Sequence, residues 1–235
     1  MGMASTEFGQ YIEGGNTVGP QNSPLSAAAL AGGESRRMGT DKALLPLVAG
    51  GQPMLRLVLE QLASVSDDVL VVANEKERYA PFGARVVPDV HPQVGALGGI
   101  QAAITWSAHE YCLVVACDMP FLSLPLLRRM VVEPRNYDVL VPVIPGESRQ
   151  RADGLVFQTL HAIYSKRCLP FIEKRIAEGK KQVVGFFQEV RVRSLDLAEI
   201  VPWDPELRSF FNANTPETLI AAAKMNAQTE HDSGP

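Results

Sequence analysis

Residues 30–42 of this 235-residue chain read Leu30-Ala31-Gly32-Gly33-Glu34-Ser35-Arg36-Arg37-Met38-Gly39-Thr40-Asp41-Lys42, between apolar runs at 25–31 and 43–48. Glycine lets backbone approach a ligand with no Cβ in the way. Successive N–H groups in such a loop form a concave anion site. Arg37 adds a planar fork of positive charge and Lys42 a point charge. The stretch is not a P-loop, because Lys42 lies three residues past Gly39 and is followed by Ala43. It is not a dinucleotide fingerprint either, because Gly32-Gly33 does not begin G-x-G-x-x-G. It reads as a loop that holds the phosphates of a nucleotide; the alternative is a Gly-rich surface turn with solvated charges.

An apolar run that opens into such a loop needs a fold that presents strand ends to a ligand, and the rest of the pattern agrees. Residues 25–31 are too short for a helix before Gly32-Gly33 and read as the first strand, although their alanines favour helix. Residues 53–64 carry Leu55, Val58, Leu59 and Leu62 at helical spacing, with Pro53 suited to the first turn. Strands are expected at 68–73, 85–87, 111–116, 137–141, 155–163 and 189–195. Helices are expected at 98–107, after a turn at 95–99, at 123–132 with Ser123 as N-cap, at 165–178 with Gly179 after it, and at 181–188. Phe210-Phe211 looks like a strand end, and Thr215-Pro216 the start of a helix running to about Asn226. Strands alternating with helices imply an α/β, Rossmann-like fold: a mostly parallel twisted sheet with helices on both faces.

Residues 1–24 are polar with no apolar period, so a disordered extension is expected, followed by one domain over 25–226 and a flexible tail at 227–235. That extension has no apolar h-region and is not a secretory signal. No apolar run reaches the ~18 residues of a membrane helix. Three cysteines (Cys112, Cys117, Cys168) without a C-x-x-C pair suggest reduced thiols and a cytoplasmic protein. The four histidines show no metal-ligand spacing. A net charge of −4 argues against binding nucleic acid through a broad basic surface.

Two carboxylates fall at expected strand ends. Asp118 follows the apolar run 111–116, where an unpaired carboxylate is costly. Mg²⁺, which takes hard oxygen ligands and bridges to phosphates, would account for it; the alternative is a turn or N-cap before Met119-Pro120. Asp89 follows Val86-Val87-Pro88, and an Asx-turn explains it equally well.

The opening stretch fits L-A-[GA]-G-x-S-x-R-M-G-x-D-K at every fixed position and resembles the signature of the MobA-like nucleotidyltransferases. Further segments follow in that family's order. Gly95-Ala96-Leu97-Gly98-Gly99-Ile100 is similar to G-P-L-A-G-I, and Cys117-Asp118-Met119-Pro120 to C-D-x-P. Gln158-Thr159-Leu160-His161-Ala162-Ile163-Tyr164 resembles Q-P-L-x-A-x-Y, with Thr159 in place of proline. Asn212-Ala213-Asn214-Thr215-Pro216-Glu217 matches N-x-N-T-P-E.

The resemblance implies a Mg²⁺-dependent molybdenum cofactor guanylyltransferase with GTP and molybdopterin as substrates, and a molybdoenzyme or chaperone as acceptor of the product. Leu30, Ala31, Gly32 and Gly33 would line the nucleotide, with Arg37 and Lys42 on its triphosphate. Asp89 matches a nucleotide-contacting aspartate and Asp118 the Mg²⁺ ligand. Gln158, Asn212 and Asn214 fall on the pterin side. The family's nucleotide-contacting asparagine lands on Val72 or is displaced to Asn74. The terminal phosphate of molybdopterin would attack the α-phosphorus of GTP, and pyrophosphate would leave. The attacking phosphate is already ionised, so no general base is required. Rivals are a cytidylyltransferase or other nucleotidyltransferase of the same fold, and an inactive nucleotide-binding protein. Monomer and small homo-oligomer both stay open.

Overall fold

Alanines 27–29, poor strand formers by propensity, make the centre of the sheet. The computed structural model describes residues 24–32, 42–48, 50–146 and 154–232. In it β1 (Ser26–Leu30) has a parallel neighbour on each edge and is buried at every position. Burial outweighs propensity here, because small side chains let helices lie close against both faces.

The chain continues through α1 (Met54–Ala63), β2 (Asp68–Val72), α2 (Lys76–Tyr79), β3 (Arg85–Val87), α3 (Ala96–Trp106), β4 (Tyr111–Ala116) and α4 (Leu124–Val131). It ends with β5 (Val139–Pro145), β6 (Leu155–Phe157), β7 (His161–Ser165), α5 (Leu169–Ala177), β8 (Val192–Leu195), α6 (Leu197–Ile200) and α7 (Pro216–Asp232). The strand order is β3-β2-β1-β4-β7-β5-β6, with β8 beside β5. β3, β2, β1 and β4 run parallel, as do β5 and β8. β7 is antiparallel to both β4 and β5, and β5 pairs β6 antiparallel. The expected parallel core is there, and the sheet is mixed beyond β4. The reversal comes between β5 and β6, which pair antiparallel without a crossover helix, and β7 keeps the direction of β6 as it enters between β4 and β5.

Side chains of successive strand residues point to opposite faces. Ala27, Ala29, Val71, Leu113 and Val115 meet α1, α4 and α6 on one face. Ala28, Leu30, Leu70, Val72, Cys112 and Val114 meet α3 and α5 on the other. The helices therefore cover both faces, as the alternation implies. Ser123 caps α4, accepting from the Leu126 N–H at 3.4 Å. On the outer strand β3, the Trp106 indole N–H donates to the Pro88 carbonyl at 3.1 Å and Arg85 reaches the Trp106 carbonyl at 3.0 Å. No helix among the described residues is long and apolar enough to cross a membrane.

Several boundaries differ from expectation. The run 155–163 is two strands, because the turn at 158–160 interrupts it. Pro53 sits just before α1 rather than in its first turn. Residues 183–189 form a 3-10 helix, and β8 pairs only from Val192. Phe210 ends a 3-10 turn, Arg208–Phe210, and not a strand. The last helix runs on to Asp232, past the end expected near Asn226 and into the region expected to be a flexible tail.

The helix expected from Gly98 begins at Ala96, so Gly98 and Gly99 lie inside it. They are glycines for packing, not for a turn. A Cβ on Gly98 would stand 2.9 Å from Val94 Cβ and 3.2 Å from the His91 carbonyl oxygen. A Cβ on Gly99 would stand 2.9 Å from Leu30 Cδ1, the far end of a flexible side chain. Gly98→Ala is therefore expected to cost about 1–3 kcal/mol through overpacking, and Gly99→Ala less. Both gain the same helix propensity, so the ranking rests on contacts alone. Urea denaturation of the two variants checks it; equal stabilities would contradict the packing role of Gly98.

Candidate active site

Leu30 pairs with Val72 on one side and Ala116 on the other, and Val72 pairs with Val87. Four carboxyl-terminal strand ends therefore stand abreast, and the residues just beyond them, Gly32, Asn74, Asp89 and Asp118, share one edge of the sheet. Open α/β sheets bind ligands at that edge. Backbone bonds carry the order past the strands. The Val72 carbonyl accepts from the N–H groups of Ala31 (3.1 Å) and Gly32 (3.2 Å), and the Cys117 N–H donates to Leu30 at 3.2 Å. The Tyr79 hydroxyl donates to the Ala31 carbonyl at 3.2 Å.

Asn74 and Asp89 form a reciprocal pair. Asn74 Nδ2 donates to Asp89 Oδ2 at 3.0 Å, and the Asp89 N–H donates to Asn74 Oδ1 at 2.9 Å. A side chain from the neighbouring strand end thus orients Asp89. Val72 is fully buried against α3, so only Asn74, which is exposed, is open to a nucleotide. Gly32 is exposed as well. A Cβ there would make only ordinary contacts, 3.6 Å from the Val72 carbonyl oxygen and 3.8 Å from Asp89 Oδ2. The fold itself would accept alanine at this position.

β7 reaches the same edge from the opposite direction. Val115 pairs with His161, and the Ala116 N–H donates to the Leu160 carbonyl at 3.1 Å, which brings Gln158 alongside. The C-terminal segment arrives through the Ala213 N–H, which donates to the Asp118 carbonyl at 2.8 Å. Asn212 and Asn214 flank that contact; Asn212 is half-buried and Asn214 exposed. Behind them Ala213 and Ala222 pack with Leu47, Met54, Phe121 and Phe211 in a small separate core. That core joins the segment after Lys42, the loop after Asp118 and α7. Lys42 opens a 3-10 turn, Lys42–Leu44. Gly33, Arg37 and the Lys42 side chain lie outside the described residues.

The buried Asp204 accepts from the N–H groups of Arg208 (3.0 Å) and Ser209 (2.9 Å), and Ser209 Oγ accepts from the Ser123 N–H at 2.8 Å. This pins the segment leading to Asn212. No signal in the sequence marks Asp204, or joins Tyr79 to Ala31; both partnerships are tertiary.

Among the described residues no group of three or more His, Cys, Asp or Glu side chains could cage a metal. A single carboxylate at a strand end suits Mg²⁺, which keeps waters and takes its remaining ligands from substrate phosphates. A strongly depressed carboxylate among the described residues lies elsewhere. Asp138, beside the start of β5, is held well below the usual carboxylate range by hydrogen bonds from Arg191 and, against the opposing effect of burial, from Arg167. It is a structural ion-pair centre at the other edge.

The MobA-like NTP transferase domain model matches residues 27–192. The chain belongs to this family. MobA-like relatives include a probable molybdenum cofactor guanylyltransferase of Pelotomaculum thermopropionicum, 39% identical over 83% of this chain and 90% of its own length. The molybdenum cofactor guanylyltransferase of Desulfosudis oleivorans is 34% identical, over 84% of this chain and 94% of its own. Among solved structures, molybdopterin-guanine dinucleotide biosynthesis protein A of Archaeoglobus fulgidus superposes with a TM-score of 0.71 at 26% identity, over 87% of this chain and 100% of that one. A 4-diphosphocytidyl-2C-methyl-D-erythritol synthase from Anaerococcus prevotii shares the fold, with a TM-score of 0.64 at 16% identity.

His161 adds a pH dependence to this MobA-like domain. Its ring is fully buried 5.0 Å from that of Phe210, and neither nitrogen meets hydrogen-bond geometry among the described residues. Burial pushes its pKa from 6.5 down to about 4, opposed only in part by the Ser209 carbonyl. Below pH 6.5 the unfolded chain takes up a proton that the folded one refuses, so stability falls as pH drops to about 4. The loss attributable to this ring is on the order of 3 kcal/mol. Melting curves of wild type and His161→Phe between pH 7 and pH 4 (about the range set by this titration) check it; parallel declines in the two would remove His161 as the source.

Proposed function

We propose that this protein is a molybdenum cofactor guanylyltransferase, which transfers GMP from GTP to the terminal phosphate of molybdopterin and releases pyrophosphate. The observation that carries the reading is the meeting of Gly32, Asn74–Asp89, Asp118 and Asn212–Asn214 on one sheet edge. The relatives named for this activity align over more than four-fifths of the chain.

The roles follow from chemistry and place. Leu30, Ala31, Gly32 and Gly33 line the base and ribose, and the Asn74–Asp89 pair offers them fixed polar atoms. Arg37 and Lys42 hold the triphosphate and stabilise charge as it builds on the phosphates. Asp118 would hold Mg²⁺ at the site. Mg²⁺, when bound, supplies Lewis-acid polarisation of the phosphoryl oxygens. Gln158, Asn212 and Asn214 receive the pterin. Phosphoryl transfer of this kind needs positioning and charge neutralisation more than covalent chemistry, and the rigid edge provides the positioning. The product passes to an acceptor molybdoenzyme or chaperone.

The cytidylyl rival turns on Gly32, where the pattern L-A-[GA]-G admits alanine. A purine with an exocyclic amino group uses the space beside Asp89 that a methyl would fill. Gly32→Ala should fold normally and lose about tenfold or more in kcat/KM for GTP, the scale of one methyl group in a pocket. Pyrophosphate release with each NTP in the presence of molybdopterin and Mg²⁺ reads this out, and unchanged use of GTP would sink the assignment of Gly32. Turnover with CTP alone in wild type would transfer the protein to the cytidylyl group. GTP binding with no turnover would make it a binding protein.

Asp118→Ala is expected to reduce Mg²⁺-dependent turnover by about a hundredfold or more, since a Lewis-acid ion contributes several kcal/mol. Wild-type rates in that variant would take Asp118 out of the site.

A further inference from the structure

Gln158 occupies the first position of a β-turn. The His161 N–H donates to the Gln158 carbonyl at 2.9 Å, with Thr159 and Leu160 between them. The turn is tied to the sheet at two further points. The Gln158 N–H donates to the Pro142 carbonyl at 2.9 Å, and the Leu160 carbonyl accepts from Ala116 at 3.1 Å. One carbonyl remains, that of Thr159 at the apex. It accepts from the Tyr164 hydroxyl at 2.7 Å. The Tyr164 ring is fully buried in the core under α3 and α5, so the hydroxyl is delivered from a rigid base. Burial also pushes its pKa well above the usual value, which keeps it a donor at any working pH.

Thr159 stands at the second turn position, where the fixed φ of proline suits type I and II turns. The family pattern Q-P-L has proline there, and this chain does not. The bonds just described use the N–H groups of Gln158 and His161 and never that of Thr159, so a proline would break none of them. Threonine leaves φ at the apex less restricted than proline would, and the clamp on its carbonyl adds to the flanking hydrogen bonds that oppose movement there.

We propose that Tyr164 is a positioning residue for the pterin substrate: its hydroxyl locks the turn that presents Gln158, a turn that in this chain lacks the proline of Q-P-L sequences. The inference rests on Gln158 facing the pterin, as assigned above. Tyr164 itself touches no substrate.

The test is a double-mutant cycle between positions 164 and 159 in the full-length protein, with GTP, Mg²⁺ and molybdopterin. Tyr164→Phe should raise KM for molybdopterin about three- to tenfold, the scale of one hydrogen bond, and leave KM for GTP unchanged. In a Thr159→Pro background the same substitution should change KM for molybdopterin by less than about twofold, because the turn is already fixed. Equal effects in the two backgrounds would overturn the proposal, and so would a matching rise in KM for GTP or a lowered Tm with both KM values unchanged. If the phenylalanine variant does not fold, Thr159→Gly loosens the same turn and carries the test; it should raise KM for molybdopterin likewise, and no change would overturn the lock. Gln158→Ala separates the two levels. Unchanged KM for molybdopterin in that variant removes Gln158 from the pterin side and the proposal with it. A raised value there beside an unchanged Tyr164→Phe rejects the lock alone.

Discussion

The register of β1 sets everything at the catalytic edge. Leu30 stands level with Val72 and Ala116, and three buried alanines precede it. A slip of one residue would turn those alanines to the opposite faces. It would also move Gly32 by about 3.3 Å along the strand direction, away from Asp89 and Asp118. The alanines make the register demanding, because helices close in on both faces and leave no room for larger side chains. Gly99 against Leu30 is one instance: α3 is seated directly on the last residue of β1.

The two ends of the sheet are built differently. At the amino edge of the parallel strands, Asp68 gathers Ser26, Arg85 and the Ala108 N–H, and Asp138 gathers Arg167 and Arg191. Burial opposes ionisation of Asp68, and the hydrogen bonds from Arg85, Ser26 and Ala108 outweigh it. These carboxylates are saturated by protein partners and hold strand starts together. The carboxyl edge presents a different set of polar groups. Asp89 is oriented by the uncharged Asn74, and Asn214 stands exposed.

Local features were legible in the sequence. β3 and β4 have the expected bounds, Ser123 is a cap, and Asp89 and Asp118 follow strand ends as their apolar neighbours indicated. What the sequence hid depends on distant partners. The break between β6 and β7 could not be told from a continuous apolar run, because the turn at 158–160 contains neither glycine nor proline. Gly98 and Gly99 resembled a turn, since nothing local says that Val94 and Leu30 crowd the helix. That Val72 is buried and Asn74 exposed depends on how β2 packs against α3. Tyr79 on Ala31 and Tyr164 on Thr159 are contacts of hydroxyl groups with carbonyls, which carry no pattern at all.

The shortness of the outer strands has a consequence for the protein in a crowded solution. β3 and β6 are three residues long and β8 four. Beside β3, the Trp106 indole already occupies the Pro88 carbonyl. An open β edge is a template for unwanted pairing between chains, and short or covered edges are the usual protection. With its long strands inside and its shortest ones at the margins, this sheet offers a neighbouring molecule few backbone groups to extend upon.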